Sequence, residues 1–146
     1  MHNQEFGKKP NLLILGASGG VATAFLQLFH NYRHKIGKLI LLDIRDDITK
    51  SPYINHHKLN YHFVQMYING HIPKNELKSL IKTQNINITL DLTDSETLPI
   101  LKMCNDLHIS YVNSSINIES MSVYELFKHL ESIKTKLNNA PHLVSM

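Results

Sequence analysis

A strand, a glycine-rich turn and a helix follow one another between Asn11 and Ala24 (N-L-L-I-L-G-A-S-G-G-V-A-T-A), and few folds accommodate that order. Leu12 to Leu15 are four consecutive bulky aliphatics, the pattern of a strand covered on both faces. Gly16, Gly19 and Gly20 come next, three of the chain's six glycines within five positions. Glycine permits a sharp turn and lets a ligand approach the backbone closely. Beyond the turn, Ala22, Ala24, Phe25, Leu28 and Phe29 recur at helical spacing. A helix N-terminus behind such a turn offers unpaired N–H groups and a partial positive charge, which is what a phosphate needs.

The turn reads Gly16-Ala17-Ser18-Gly19-Gly20-Val21-Ala22, which is G-x-x-G-x-x-A with an added glycine rather than G-x-G-x-x-G. The first glycine permits the turn, the second admits a pyrophosphate, and the small Ala22 lets helix and strand pack closely. Ser18 is placed to donate its hydroxyl to a phosphate oxygen. A G-x-x-G-K-[ST] phosphate loop is excluded because no lysine follows the glycines. The second apolar run, Lys38 to Asp43 (K-L-I-L-L-D), ends in a carboxylate where a dinucleotide fold places the acid that binds ribose hydroxyls. A carboxylate there favours NAD, while Arg45, two positions on, suits the 2′-phosphate of NADP. The expected cofactor is NAD, with NADP as the alternative, held by Gly16 to Val21 on the phosphate side and by Asp43, Ile44 and Arg45 on the ribose side.

The rest of the chain supplies the repeating context. Helix Gly20 to Tyr32 follows the turn, and Gly37 punctuates the way to strand two. Ile44 to Asn60 reads as loop or one short helix. Strand three is expected over Tyr61 to Ile68, a helix from Lys74 to Thr83 with Pro73 in its first turn, and strand four over Ile86 to Leu92. Asp94 or Ser95 is expected to cap a helix running to Leu107. Strand five spans Ile109 to Asn113, a long amphipathic helix Met121 to Leu137, and Pro141 to Met146 begin a sixth strand. Strands alternating with helices imply an α/β fold, a Rossmann-type doubly wound and mostly parallel sheet of about six strands with helices on both faces. The carboxyl ends of such strands hold the ligand, which adds Leu92, Thr93 and Asp94 after strand four, and Asn113, Ser114 and Ser115 after strand five.

Composition narrows the partners. The chain has 146 residues, enough for one domain, and Met1 to Pro10 read as a flexible tail ahead of it. A formal net charge of +3 from scattered lysines, without a basic cluster, gives no reason to expect nucleic acid. No apolar run reaches the roughly 18 residues that span a bilayer, the N-terminus is unlike a signal peptide, and one cysteine fits a reducing compartment, so the cytoplasm is expected. Ten histidines raise the question of metal, yet His30/His34 and His56-His57 come without H-E-x-x-H or C-x-x-C, and no metal site is expected. Tyr124 and Lys128 make a Y-x-x-x-K spacing, as in short-chain dehydrogenases; core packing is the better account, since Tyr124 belongs to the apolar stripe of its helix and Asp91-Leu92-Thr93 stands where that family has Asn-Ala-Gly.

With L-I-L-G-A-S-G-G-V-A (Leu13 to Ala22), L-D-L-T-D-S (Leu90 to Ser95), I-S-Y-V-N-S-S (Ile109 to Ser115) and the closing P-H-L-V-S-M in this order, the chain resembles the N-terminal cofactor-binding domain of the saccharopine dehydrogenase-like proteins, homospermidine and carboxynorspermidine enzymes among them. The resemblance implies an NAD(P)-dependent oxidoreductase acting on a C–N bond of an amino acid or polyamine. It also implies a truncated chain, with substrate-binding and proton-transfer residues in a further domain and no catalytic residue here. A homodimer is compatible with this. Residues 11–146 are then an NAD(P)-binding domain, and a non-catalytic NAD(P)-sensing module is the other reading of the same fold.

Overall fold

The computed structural model describes residues 8–68, 75–114 and 141–144, with Glu125, Lys128 and Glu131 as further helical positions. Six strands, β1 (Leu12–Leu15), β2 (Leu39–Asp43), β3 (His62–Gln65), β4 (Ile88–Asp91), β5 (Ser110–Asn113) and β6 (His142–Leu143), form one sheet in the order β3-β2-β1-β4-β5-β6. Every neighbouring pair is parallel. The chain steps outward from β1 to β3, returns to the other side of β1, and steps outward again. The strand order therefore reverses between β1 and β4, which opens a crevice at their carboxyl ends.

Four helices with described bounds, α1 (Gly20–Phe29), α2 (Pro52–His56), α3 (Asn75–Thr83) and α4 (Thr97–Asp106), pack on the two faces together with 3₁₀ turns at His30–Lys35 and Asp47–Lys50. Successive strand residues point to opposite faces. Leu13, Leu15, Ile40 and Leu42 thus join Leu77 and Ile81 of α3 and Leu101 and Cys104 of α4. Leu12, Ile14, Leu39 and Leu41 join Leu26 and Phe29 of α1 and Ile54 of α2 on the other face. Burial of each such side chain contributes about 1.5–3 kcal/mol, so the continuous aliphatic runs of β1 and β2 fix the centre of the sheet.

Several boundaries differ from the sequence reading. Helix α1 ends at Phe29, because His30–Lys35 buries nothing and four of its residues, His30, Asn31, Tyr32 and His34, are weak helix formers. Ile44 to Asn60 holds the 3₁₀ turn Asp47–Lys50 and α2, whose N-cap Ser51 accepts the Ile54 N–H at 3.4 Å ahead of Pro52. Strand β3 is shorter than expected because, among the described residues, it lies at the edge of the sheet and pairs with β2 alone, from Ile40 to Asp43. Neither Asp94 nor Ser95 caps α4: the N-cap is Glu96, and the Ser95 N–H donates to Thr93 Oγ1 at 3.1 Å. Most of the expected helix Met121 to Leu137, Tyr124 included, lies outside the described residues, as do Met1 to Gly7, Pro73 and Ser115.

Candidate functional site

The carboxyl ends of β1, β2, β3 and β4 surround a cleft of about 490 Å³. Its walls are Gly16, Gly19, Gly20 and Val21 after β1; Leu42, Asp43, Ile44 and Arg45 at β2; Met66, Tyr67 and Ile68 after β3; and Leu92, Thr93, Asp94 and Ser95 after β4.

Gly16 leaves β1 with φ +80°, and a Cβ there would sit 2.9 Å from the Leu92 carbonyl oxygen and 3.2 Å from Thr93 Cγ2. Only glycine fits, because the conformation is left-handed and the β4 turn is pressed against it. The first N–H groups of the loop are spent within the fold. Gly16 and Ala17 donate to the Leu42 carbonyl at 2.9 and 3.1 Å, and Gly19 donates to the Gly16 carbonyl at 3.2 Å. Ser18 N–H donates to Asp43 Oδ2 at 2.9 Å. Gly20, Val21 and Ala22 then open α1, whose first turn begins with Thr23 N–H to the Gly19 carbonyl at 3.0 Å. Those three N–H groups have no acceptor inside the helix and form its positive end. A Cβ on Gly20 would meet no atom within 4 Å, so the backbone there is open to a ligand.

Asp43 stands at the mouth of the glycine loop. Its Oδ2 accepts the Ser18 N–H, and its Oδ1 accepts the Arg45 N–H at 3.1 Å. Each carboxylate oxygen has two lone pairs, so both keep one for a further donor. The Arg45 guanidinium donates to the Ser18 carbonyl at 3.2 Å and pairs with Asp47 at 3.5 Å. The Ser18 hydroxyl, expected to face a phosphate, donates to the Arg45 carbonyl at 2.8 Å and accepts the Ile48 N–H at 3.2 Å. In this geometry Ser18 braces the loop against the Asp43–Ile48 segment.

Beneath the β4 turn lies a carboxylate that the sequence reading left aside. Asp91 is 4% exposed and accepts three hydrogen bonds, from Thr93 N–H (3.0 Å), Thr93 Oγ1–H (2.6 Å) and the Tyr111 hydroxyl (2.7 Å). Burial pushes its pKa up, and these bonds oppose the shift. Cys104, buried beside it, is pushed up to about 12 chiefly by burial, which disfavours the thiolate.

Nine of the expected cofactor residues line the cleft: Gly16, Gly19, Gly20, Val21, Asp43, Ile44, Arg45, Leu92 and Thr93. Ala17 is wholly buried under the loop. Asn113 is not among the walls; it ends β5, one strand beyond β4, and its amide donates to Thr97 Oγ1 at 3.4 Å. Met66, Tyr67 and Ile68 were missed, although a third parallel strand must end at the same edge as the first two. His30 does not pair with His34; its ring stacks on His57 at 4.4 Å between centroids, and its Nδ1 lies 2.8 Å from the Tyr53 hydroxyl. Among the described residues no group of three His, Cys, Asp or Glu is arranged to hold a metal, and no helix is long and apolar enough to cross a membrane.

Residues 12–142 match the saccharopine dehydrogenase NADP-binding domain. The chain belongs to that family. The match spans the glycine loop, Asp43 and the β4 turn, and it bears out the resemblance read from the sequence. The cofactor class of this NADP-binding domain is accordingly NAD(P). Among solved structures, a UDP-glucose-4-epimerase from Stenotrophomonas maltophila with bound NAD and formylated UDP-arabinopyranose superposes with a TM-score of 0.62 at 12% identity, over 92% of this chain and 52% of the epimerase. A candidate NADPH:quinone reductase from Mesorhizobium loti gives a TM-score of 0.51 at 10% identity, over 97% of this chain and 38% of the reductase. At such identities the likeness establishes the Rossmann-type fold, and the domain spans about half or less of either protein. No curated protein matches it significantly.

Proposed function

We propose that the chain is the cofactor-binding part of an NAD(P)-dependent oxidoreductase acting on the C–N bond of an amino acid or polyamine, and that it takes NAD in preference to NADP. The observation that carries the reading is the run of helix-opening N–H groups at Gly20 to Ala22 beside a carboxylate, Asp43, held by two backbone donors. The N–H groups and the α1 dipole suit a pyrophosphate. The free lone pairs of Asp43 suit two ribose hydroxyls. Met66, Tyr67 and Ile68 offer an apolar wall on the adenosine side, and Thr93 to Ser95 face the other end of the cleft.

Charge decides between the two dinucleotides. A 2′-phosphate about 4 Å from Asp43 is repelled by about 1–4 kcal/mol per unit charge at a protein surface. An exposed guanidinium such as Arg45 returns about 0–1 kcal/mol and must first leave Asp47. NAD is therefore favoured. When bound, the nicotinamide supplies hydride transfer; this chain's residues bind and orient it. Among the described residues the cleft walls hold no histidine, lysine or cysteine, and the reading gives these walls the binding and orienting of the cofactor.

Fluorescence titrations with NADH and NADPH test the proposal. Tighter binding of NADH is expected, with Asp43→Ser shifting the preference toward NADPH. Tighter NADPH binding by the wild-type chain would overturn the preference, and binding of neither would overturn the cofactor reading.

A further inference from the structure

Resting on that reading of the cleft, we propose that Asp91 is a positioning residue: its buried carboxylate clamps the Leu92–Ser95 turn that forms the wall facing the glycine loop. Asp91 is the last residue of β4, opposite Leu15 on one side and Asn113 on the other. It does not line the cleft, yet one of its oxygens binds Thr93, which does. Its Oδ1 takes both the N–H and the hydroxyl of Thr93, and Thr93 Oγ1 in turn accepts the Ser95 N–H. Among the described residues, Leu92 N–H ties the start of the turn to the sheet at the Leu15 carbonyl, 3.0 Å away. From there to Ser95, the relay from Asp91 through Thr93 holds the turn.

The clamp matters because the turn has no slack toward the loop. The space at Gly16 is filled by the Leu92 carbonyl and the Thr93 methyl, so a shift of the turn changes the width of the cleft directly. A buried carboxylate is costly unless it is fully hydrogen-bonded, and a leucine of similar size would suit the surrounding core better. The two neighbours, Thr93 and Tyr111, present three donor groups to it, so the position calls for an acceptor. The second oxygen accepts the Tyr111 hydroxyl from β5, a bond that does not reach the turn.

This separation makes the role testable. The measurements are NADH affinity, backbone amide hydrogen exchange at Thr93 and Ser95, and thermal stability, on Asp91→Asn, Thr93→Val, Thr93→Ser and Tyr111→Phe. Asp91→Asn and Thr93→Val each remove a charge-assisted bond, so NADH affinity should fall about tenfold and both amides should exchange faster. Thr93→Ser keeps the hydroxyl and should restore both readouts, while Tyr111→Phe should lower stability and leave both near wild type. Unchanged amide exchange in Asp91→Asn and Thr93→Val overturns the clamp whether or not NADH binds. Equal loss of affinity in Tyr111→Phe and Asp91→Asn overturns the positioning role in favour of a purely structural one. Failure of the wild-type chain to bind NADH overturns the cofactor reading itself and leaves the exchange comparison to decide the clamp. If Asp91→Asn does not fold, the Thr93→Val and Thr93→Ser pair decides.

Discussion

The two edges of the sheet are stitched by similar means and serve opposite ends. At the amino edge, Asn11 donates through Nδ2 to the carbonyls of Gln84 (3.4 Å) and Asn85 (2.9 Å) and accepts the Lys38 N–H at Oδ1 (2.7 Å). Its backbone N–H donates to Asn87 Oδ1 at 2.8 Å, and its carbonyl accepts the N–H groups of Asn87 and Ile88. At the carboxyl edge, Asp43 ties the glycine loop to β2 in a comparable way. The amino edge even has the larger hollow, about 670 Å³ against about 490 Å³. The difference lies in the helix ends. Helices α3 and α4 finish at the amino edge, with carbonyls and partial negative charge, while α1 begins at the carboxyl edge with free N–H groups. Volume does not choose the site for an anionic ligand; the direction of the helices does.

Substitutions at the two edges should therefore separate stability from binding. The largest effect is expected for Gly16→Val, which combines a left-handed backbone with a clash against Leu92. Denaturant unfolding should show a loss of about 2–4 kcal/mol, and NADH titration should show no binding. Asn11→Leu comes next, leaving several amino-edge groups unpaired, for a loss of about 2–3 kcal/mol with NADH affinity unchanged; a matching loss of affinity would break the distinction between edges. Gly37→Ala is smaller, because its Cβ would meet Asn11 Oδ1 at 2.6 Å and the carboxamide can yield; about 1–2 kcal/mol is expected, again without effect on affinity.

The smallest effect concerns pH and the outer strand β6. Burial lowers the pKa of His142, whose Nδ1 accepts the Tyr111 N–H at 3.1 Å and whose Nε2 faces Asn105 Oδ1 at 3.1 Å. The neutral ring fits these partners. Because the folded-state value lies below the unfolded one, near 6.5, the unfolded chain takes up the proton first. The associated stability is present above about pH 6.5 and is lost as the pH falls through that value toward the folded-state pKa. Thermal melts should show a modest fall below pH 6.5, and His142→Gln should blunt it.

Much of this was legible in the chain. Leu12 to Leu15 and Leu39 to Leu42 announce doubly covered strands, and the glycines with Asp43 announce the ligand edge. Other features depend on facts the sequence does not carry. Asp91 in L-D-L-T reads as a polar strand end until the α3 and α4 face is known to cover it. The Ser18 hydroxyl could point either way until the Asp43–Ile48 segment folds back onto it. The Ser51-Pro52 pair was a usable start signal for α2, but a helix this short has too little apolar periodicity to announce itself.

The central claim is that a dinucleotide takes the edge with helix beginnings and leaves the larger hollow empty. Amide chemical-shift mapping during an NADH titration tests it directly. Shifts are expected at Gly16, Gly19 to Ala22, Asp43 to Arg45 and Thr93 to Ser95, with Asn85, Asn87 and Asp106 to Ile109 unmoved. Shifts confined to Asn85, Asn87 and Asp106 to Ile109, or none at the glycine loop, would contradict it.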